Sequence, residues 1–198
     1  MNSRDKIFAA VKASQPATTP LPDMHSFERN AAGSLDKFIT VLKTVGGSVY
    51  YVNSYAEVAN ILHDINGEGK KIISPLTELR EFYNEAILNS THISDLQDID
   101  VFIIKGQFAV AENGAIWVTD KEMHQRVLPF ITQHLAIIIN AENVVPTMHE
   151  AYDQISKTSY GFGTFIAGPS KTADIEQSLV IGAHGPRSMT AFVMNAAL

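Results

Sequence analysis

Short apolar runs alternate with amphipathic stripes along most of the chain. The run Ser48–Val52 predicts a strand, and residues 54–65 predict a helix that Ser54 caps, with Glu57 three residues on. The same patterns predict strands at 71–74, 101–104, 115–119, 135–140, 162–167, 179–181 and 189–194, and helices at 77–89, 121–129 and 147–158. Such alternation favours a three-layer α/β fold with a mostly parallel sheet and helices on both faces.

The first 45 residues have a different pattern. Ile7, Phe8 and Val11 lie at helical spacing and predict a short helix over residues 3–13. Three prolines within residues 15–22 predict an extended linker, and residues 26–45 predict a longer helix. We therefore predict a helical N-terminal extension at residues 1–45 and one α/β unit at 46–198. The first helix is either a docking arm or a frayed terminus.

Composition and charge exclude several classes of function. The chain has 198 residues, of which 45% are hydrophobic, enough for a core without disulfides. Lys and Arg number 15 against 21 Asp and Glu, with no basic cluster, so the sequence predicts no nucleic-acid binding. The longest strictly apolar run, residues 135–139, is too short to span a bilayer, and no signal-peptide core is visible. We expect a soluble, cytoplasmic protein without membrane insertion.

Cysteine and histidine usage limits the metal chemistry. The chain contains no cysteine, which excludes a thiolate nucleophile and a cysteine-held zinc ion or iron–sulfur cluster. Its seven histidines are scattered, with no two at helical ligand spacing, and six of them are expected in surface or core polar roles. We predict no metal site and no cofactor.

His184 stands out because Gly182, Gly185 and a proline surround it directly after a predicted strand. Ligands in open α/β sheets bind outside the carboxyl ends of the strands, where such a histidine acts as an acid, a base or a hydrogen-bond donor. The alternative is a histidine that holds the turn together through backbone bonds.

A second candidate is the segment 168–176, which also follows a predicted strand. Its Gly-Pro-Ser start predicts a turn of helix whose free backbone N–H groups bind an anion, with Lys171 adding positive charge. The alternative is ordinary helix capping. The ligand-binding candidates here are Gly168, Ser170, Lys171, Thr172, Asp174 and Glu176.

A third candidate is the turn Glu112-Asn113-Gly114 between two predicted strands. Asn-Gly is typical of a hairpin turn, and Glu112 beside it is alternatively a pocket carboxylate. Gly161 and Gly163 lack the third glycine of a dinucleotide loop and are interpreted as a bend at a strand entrance.

The block 168–194 closely resembles the lactate-utilization (LUD) domain family, and the length resembles its short LutC-type members. Family members typically show Gly-Pro-Ser-x-Thr-Ala-Asp-Ile-Glu, then Gly-x-His-Gly-Pro, then a final apolar strand, and all three occur here in that order. An upstream Glu-x-Gly segment is matched by residues 112–114, with Asn113 where members often have Thr.

The resemblance implies a fold similar to the sugar-phosphate isomerase and CoA-transferase group. It also implies a non-redox subunit of a system that oxidises L-lactate to pyruvate, with iron–sulfur proteins as partners and a small anionic ligand, a lactate-like carboxylate or a phosphate. The alternatives are a stand-alone enzyme acting on a small carboxylate, sugar phosphate or CoA ester, and a binding module with a vestigial pocket.

If the strand-end turns of a parallel sheet converge, the three candidate segments line one cleft. Glu112 and His184 are then its titratable, catalytic pair, with Asn113 and Gly114 beside them. Arg187 either reaches the same edge or is a solvated turn residue.

Overall fold

The computed structural model describes residues 2–20, 34–83, 88, 93–172 and 180–195. Its strands are β1 (Ser48–Val52), β2 (Ile72–Ile73), β3 (Val101–Lys105), β4 (Phe108–Val110), β5 (Ala115–Thr119), β6 (His134–Asn140), β7 (Val144–Val145), β8 (Gly163–Ile166), β9 (Lys171–Thr172), β10 (Val180–Ile181) and β11 (Ser188–Met194). Its α-helices are α1 (Ser3–Ala13), α2 (Ser34–Thr44), α3 (Tyr55–Asn66), α4 (Asp120–Met123), α5 (Leu128–Ile131) and α6 (Met148–Ile155). None of these helices is long and apolar enough to cross a membrane.

A five-stranded parallel sheet with the order β1-β11-β6-β3-β2 forms the centre of the fold. Its central strands are buried on both faces, which explains why they are near-continuous apolar runs in the sequence. Phe102 and Ile137 face one core, and Val101 and Ile138 face the other. The predicted α/β class and mostly parallel sheet are confirmed.

The two faces of the main sheet are covered differently. Helix α3 covers one face through Val58 and Leu62. The other face packs against Phe38 and Leu42 of α2 and against a second sheet, which contributes Ile116 to the same core. This second sheet has the order β7-β4-β5-β8, and α6 packs against its outer side.

The second sheet was not predicted, because two of its strands are only two and three residues long and show no period. The hairpin turn and β5 were predicted, but β4, the strand before the turn, was not. The two strands pair antiparallel across Asn113-Gly114, where Gly114 has φ +70°.

Two predicted helices are wrong in extent. Residues 77–89 begin as a 3-10 turn, Thr77–Leu79, with the i→i+3 bond from Arg80 N–H to the Thr77 carbonyl, and residues 84–87 and 89 lie outside the described part. The predicted helix at 121–129 is divided into α4 and α5, because His124 at φ +58° ends the first of them. The predicted helix over residues 3–13 is confirmed as α1, and none of its residues is buried.

Candidate functional site

Two of the candidate segments lie against one another. The backbone N–H of Ser170 donates to the Pro186 carbonyl, and the N–H of Gly182 donates to the Ser170 carbonyl, each at 2.9 Å. Strands β9 and β10 form an antiparallel pair beside these bonds. The family-like blocks around Ser170 and His184 are therefore joined through their backbones.

Gly168 fixes this pair of segments onto the end of helix α2. It has φ +76°, and a Cβ atom added there would lie 2.7 Å from the Val45 carbonyl oxygen. The Lys171 ammonium also donates to that carbonyl. The turn is thus closely packed against the segment that leads from α2 into β1.

Four of the donors expected to bind an anion at 168–172 have acceptors within the protein. The Gly168 N–H points to the Met189 sulfur at 3.0 Å, and the Thr172 hydroxyl donates to the Val180 carbonyl at 3.4 Å. Ser170 N–H and the Lys171 ammonium are bonded as described above. Asp174 and Glu176 lie outside the described residues. Anion binding by this turn stays a prediction.

The expected position of the His184 loop, at the carboxyl edge of the parallel sheet, is wrong. The strand before it, β10, pairs only with β9 and does not join the main sheet. The loop instead leads into the amino end of β11, and Arg187 N–H donates to the Gln133 carbonyl, next to the start of β6. His184 therefore lies at the amino edge of the main sheet.

An open cleft of about 460 Å³ lies at this edge, and we call it the amino-edge cleft. Its lining combines two basic side chains with an apolar wall and a polar floor: Phe130, Ile131, Thr132, Gln133, Gly182, Ala183, His184, Gly185 and Arg187. His184 and Arg187 are both exposed, and among the described residues no carboxylate lines the cleft. This combination suits a small anion with a compact apolar part.

His134 and Ser188 are paired across the first register position of β6 and β11. The Nδ1 atom of His134 lies 2.7 Å from the Ser188 hydroxyl oxygen. Burial lowers the pKa of the half-buried His134 imidazole, and the cations Lys70 and Arg187 lower it further, against the opposing charge of Asp100.

Asp100 anchors the positive charge at the same edge. The Lys71 backbone N–H donates to its carboxylate at 2.9 Å, and the Lys70 ammonium lies 3.0 Å from it. These bonds, the backbone one first, hold the pKa of the Asp100 carboxyl below its usual value.

Sequence reasoning did not single out Asp100, His134 or Ser188. Each of them directly precedes a predicted apolar strand, at 101–104, 135–140 and 189–194. Because the amino ends of parallel strands meet at one edge, that shared position was the signal that could have found them.

Glu112 lies in a different environment. Its carboxylate accepts a hydrogen bond of 2.8 Å from the Met148 N–H, the first residue of α6. The Asn113 side-chain oxygen accepts from Ala115 N–H at 3.1 Å, and a Cβ atom on Gly114 would lie 2.8 Å from the Leu42 nitrogen. Glu112 and His184 make no hydrogen bond or ion pair with one another, so their catalytic pairing stays a prediction.

Metal ligation finds no support in the described residues: they contain no group of three or more His, Cys, Asp or Glu side chains that could hold an ion.

Comparison with solved structures finds the same fold elsewhere. A DUF162 family protein from Deinococcus radiodurans superimposes with a TM-score of 0.60 at 16% identity, over 84% of this chain and 99% of that one.

Among curated proteins, lactate utilization protein C of Geobacillus thermodenitrificans is 30% identical over 113 residues, which are 54% of this chain and 47% of that protein. Its counterpart in Bacillus pumilus is 32% identical over 90 residues, 42% of this chain and 38% of that protein. The matches thus span less than half the length of these relatives. An uncharacterized protein of Neisseria meningitidis serogroup B is 22% identical over 96% of this chain and 92% of its own length.

The family model of the LUD domain matches residues 35–194, from the beginning of α2 to the end of β11. The chain therefore belongs to the LUD domain family.

Proposed function

We propose that this chain is a non-redox subunit of an L-lactate utilization system that works with iron–sulfur partner proteins in the cytoplasm. The observation that carries the proposal is its membership of the LUD family together with its similarity to lactate utilization protein C. None of its 198 residues is a cysteine, so this chain supplies no thiolate ligand to a cluster. In the proposed system the partners transfer the electrons.

A deletion strain tests this role. We expect loss of growth on L-lactate, restored by the wild-type gene, and we expect the tagged chain to co-purify with proteins that carry iron–sulfur absorption. Wild-type growth of the deletion strain on L-lactate contradicts the proposal.

We further propose that the amino-edge cleft binds the anionic ligand of this system. Arg187 offers a planar, permanently charged partner for a carboxylate, and Phe130 and Ile131 offer apolar contact for a short carbon chain. His184 supplies a ring nitrogen to the same cleft. L-lactate combines the carboxylate and the small apolar group that such a lining accepts.

Calorimetric titration with L-lactate, pyruvate and inorganic phosphate tests this assignment. A charged hydrogen bond contributes about 1.5 kcal/mol or more, so Arg187→Gln is expected to weaken binding about tenfold. Lys37→Gln removes an exposed charge on α2 and serves as the control. Equal binding by both variants places the ligand elsewhere.

The alternative function is a stand-alone enzyme on a small carboxylate, sugar phosphate or CoA ester. The exposure of His184 in an open cleft favours it, because a ligand can reach the imidazole directly. Turnover of such a substrate by the pure protein, abolished by His184→Ala and by Glu112→Gln, supports the enzyme. Absence of turnover alongside intact lactate binding favours the subunit.

A further inference from the structure

A second cavity, of about 350 Å³, lies at the edge of the main sheet opposite the amino-edge cleft, where the strands have their carboxyl ends. Gln107 follows the carboxyl end of β3, and Glu142 and Asn143 follow the carboxyl end of β6, the strand next to it. Gln154 and Ile155 of α6 close the other side. We call it the carboxyl-edge cavity; this edge is where open α/β sheets bind ligands.

Of the amides and hydroxyls in the wall, those of Gln107, Asn143 and Thr158 donate inside the protein, whereas the Gln154 amide is exposed. The Gln107 amide donates to Thr119 and to the Glu122 carboxylate, at 3.3 and 3.2 Å. The Asn143 amide donates to the Gln107 carbonyl at 3.3 Å, and the Thr158 hydroxyl donates to the Ile155 carbonyl at 3.0 Å. The Asn143 side-chain oxygen and the Thr158 lone pairs are left as acceptors.

The charge of the wall also favours a ligand that donates hydrogen bonds. Among the described residues Glu142 is the wall's only charged side chain, and that carboxylate makes no hydrogen bond or ion pair with any of them. In the part of the chain that the structure describes, no Lys, Arg or His lines the cavity. A ligand that donates hydrogen bonds and carries positive charge satisfies this wall, whereas an anion meets an uncompensated carboxylate.

Another part of the wall is apolar. Phe108, Val145 and Ile155 are each less than 10% exposed and pack together where α6 meets the second sheet. Phe108 is paired in register with Trp117, the only tryptophan of the chain. The Trp117 side chain is buried, and its indole N–H has no partner among the described residues.

We propose that the carboxyl-edge cavity binds a small organic cation, a primary amine with a compact apolar body. Its ammonium group donates to Glu142 and to the Asn143 and Thr158 oxygens, and its body packs against Phe108 and Ile155. The proposal does not depend on lactate binding, which occurs at the other edge of the sheet.

Three probes of one shape and different charge test it: benzylamine, benzyl alcohol and benzoate. The single indole N–H resonance of Trp117 is the readout, with calorimetry as an independent measure of affinity. Benzylamine, protonated at neutral pH, is expected to shift the resonance saturably and to bind up to about fivefold more tightly than benzyl alcohol, the upper end for an exposed ion pair. Benzoate is expected to give no shift.

Glu142→Gln keeps the shape of the side chain and removes its charge. In this variant benzylamine and benzyl alcohol are expected to bind equally, whereas Glu68→Gln, in the exposed loop after α3, keeps the preference. A preference that survives in Glu142→Gln overturns the proposal. So does a benzoate shift as large as that of benzylamine, or the absence of any saturable shift. Unchanged lactate binding in Glu142→Gln shows that the two sites are separate.

Discussion

The amino-edge cleft and the carboxyl-edge cavity are built in opposite ways. The cleft lies between the end of α5 and loops that backbone hydrogen bonds tie together, and its charged side chain, Arg187, is basic. The cavity lies between a helix and the ends of regular strands, and its charged side chain is acidic. Shape at the amino edge therefore depends on backbone conformation, and at the carboxyl edge it depends on side-chain packing.

The difference predicts that substitutions at one edge leave the other intact. The largest expected effect is at Gly168. Alanine there has to adopt φ +76° and places its Cβ atom against the Val45 carbonyl oxygen, so Gly168→Ala is expected to lower the free energy of unfolding by about 3 kcal/mol. It should weaken lactate binding at the cleft and spare benzylamine binding at the cavity.

Gly69→Ala is the matched control, since Gly69 has the same φ of +76° as Gly168, with nothing within 4 Å of an added Cβ atom. Conformational strain alone predicts a loss of about 1 kcal/mol there. Urea denaturation measures both variants. Equal losses would show that the contact between the 168 turn and the end of α2 does not stabilise the fold.

Glu112 tests the carboxyl edge in the same way. Its carboxylate accepts a hydrogen bond from the first N–H of α6, the helix that covers the second sheet beside the carboxyl-edge cavity. Glu112→Ala is expected to cost about 1 kcal/mol of unfolding free energy, as for a lost helix cap, and to weaken benzylamine binding. Denaturation and titration provide the test, with Glu68→Ala as the control. A loss of lactate binding with unchanged stability would instead favour a role for Glu112 at the cleft.

His134 gives the smallest effect, a dependence on pH at the amino edge. Its pKa is lowered in the folded state, so the unfolded chain takes up the proton more readily. Stability is fully present above the unfolded value of about 6.5 and is expected to fall as the pH drops below it. Asp100, whose pKa is also lowered, adds a loss only at more acidic pH.

His134→Gln is expected to reduce the fall in unfolding free energy between pH 8 and pH 5.5, measured by urea denaturation at each pH. His63→Gln, at an exposed position of α3, should leave it unchanged. Identical pH dependence in the wild type and in His134→Gln contradicts the assignment.

The parts of the fold that could be predicted are those with strong local periodicity. The strand Ser48–Val52 has the predicted bounds, and β6 and β11 each begin one residue earlier than predicted. The second sheet escaped prediction because its short strands depend on partners distant in the sequence. The break at His124 depends on a single φ angle, which the hydrophobic pattern does not reveal.

For the site, the local motifs predicted which segments lie together, but they did not predict at which edge of the sheet. Ser170 and the His184 loop were expected together, and the backbone bonds through Pro186 and Gly182 join them. Their placement at the carboxyl edge was wrong because a two-residue strand, β10, was taken for a strand of the main sheet. Side chains such as His134 and Glu142 acquire their roles only from strand order and register.

The strand order has a consequence for how the chain reaches this structure. Strand β1 lies at the edge of the main sheet and pairs only with β11, so that Ser48 meets Thr190. Contacts this far apart in the sequence slow folding, because a long loop must close before they form. During synthesis β1 emerges early and waits, with its backbone edge unpaired, until β11 has left the ribosome. The nascent chain is therefore most exposed to aggregation after β6 has been made and before β11 fills the position between β1 and β6.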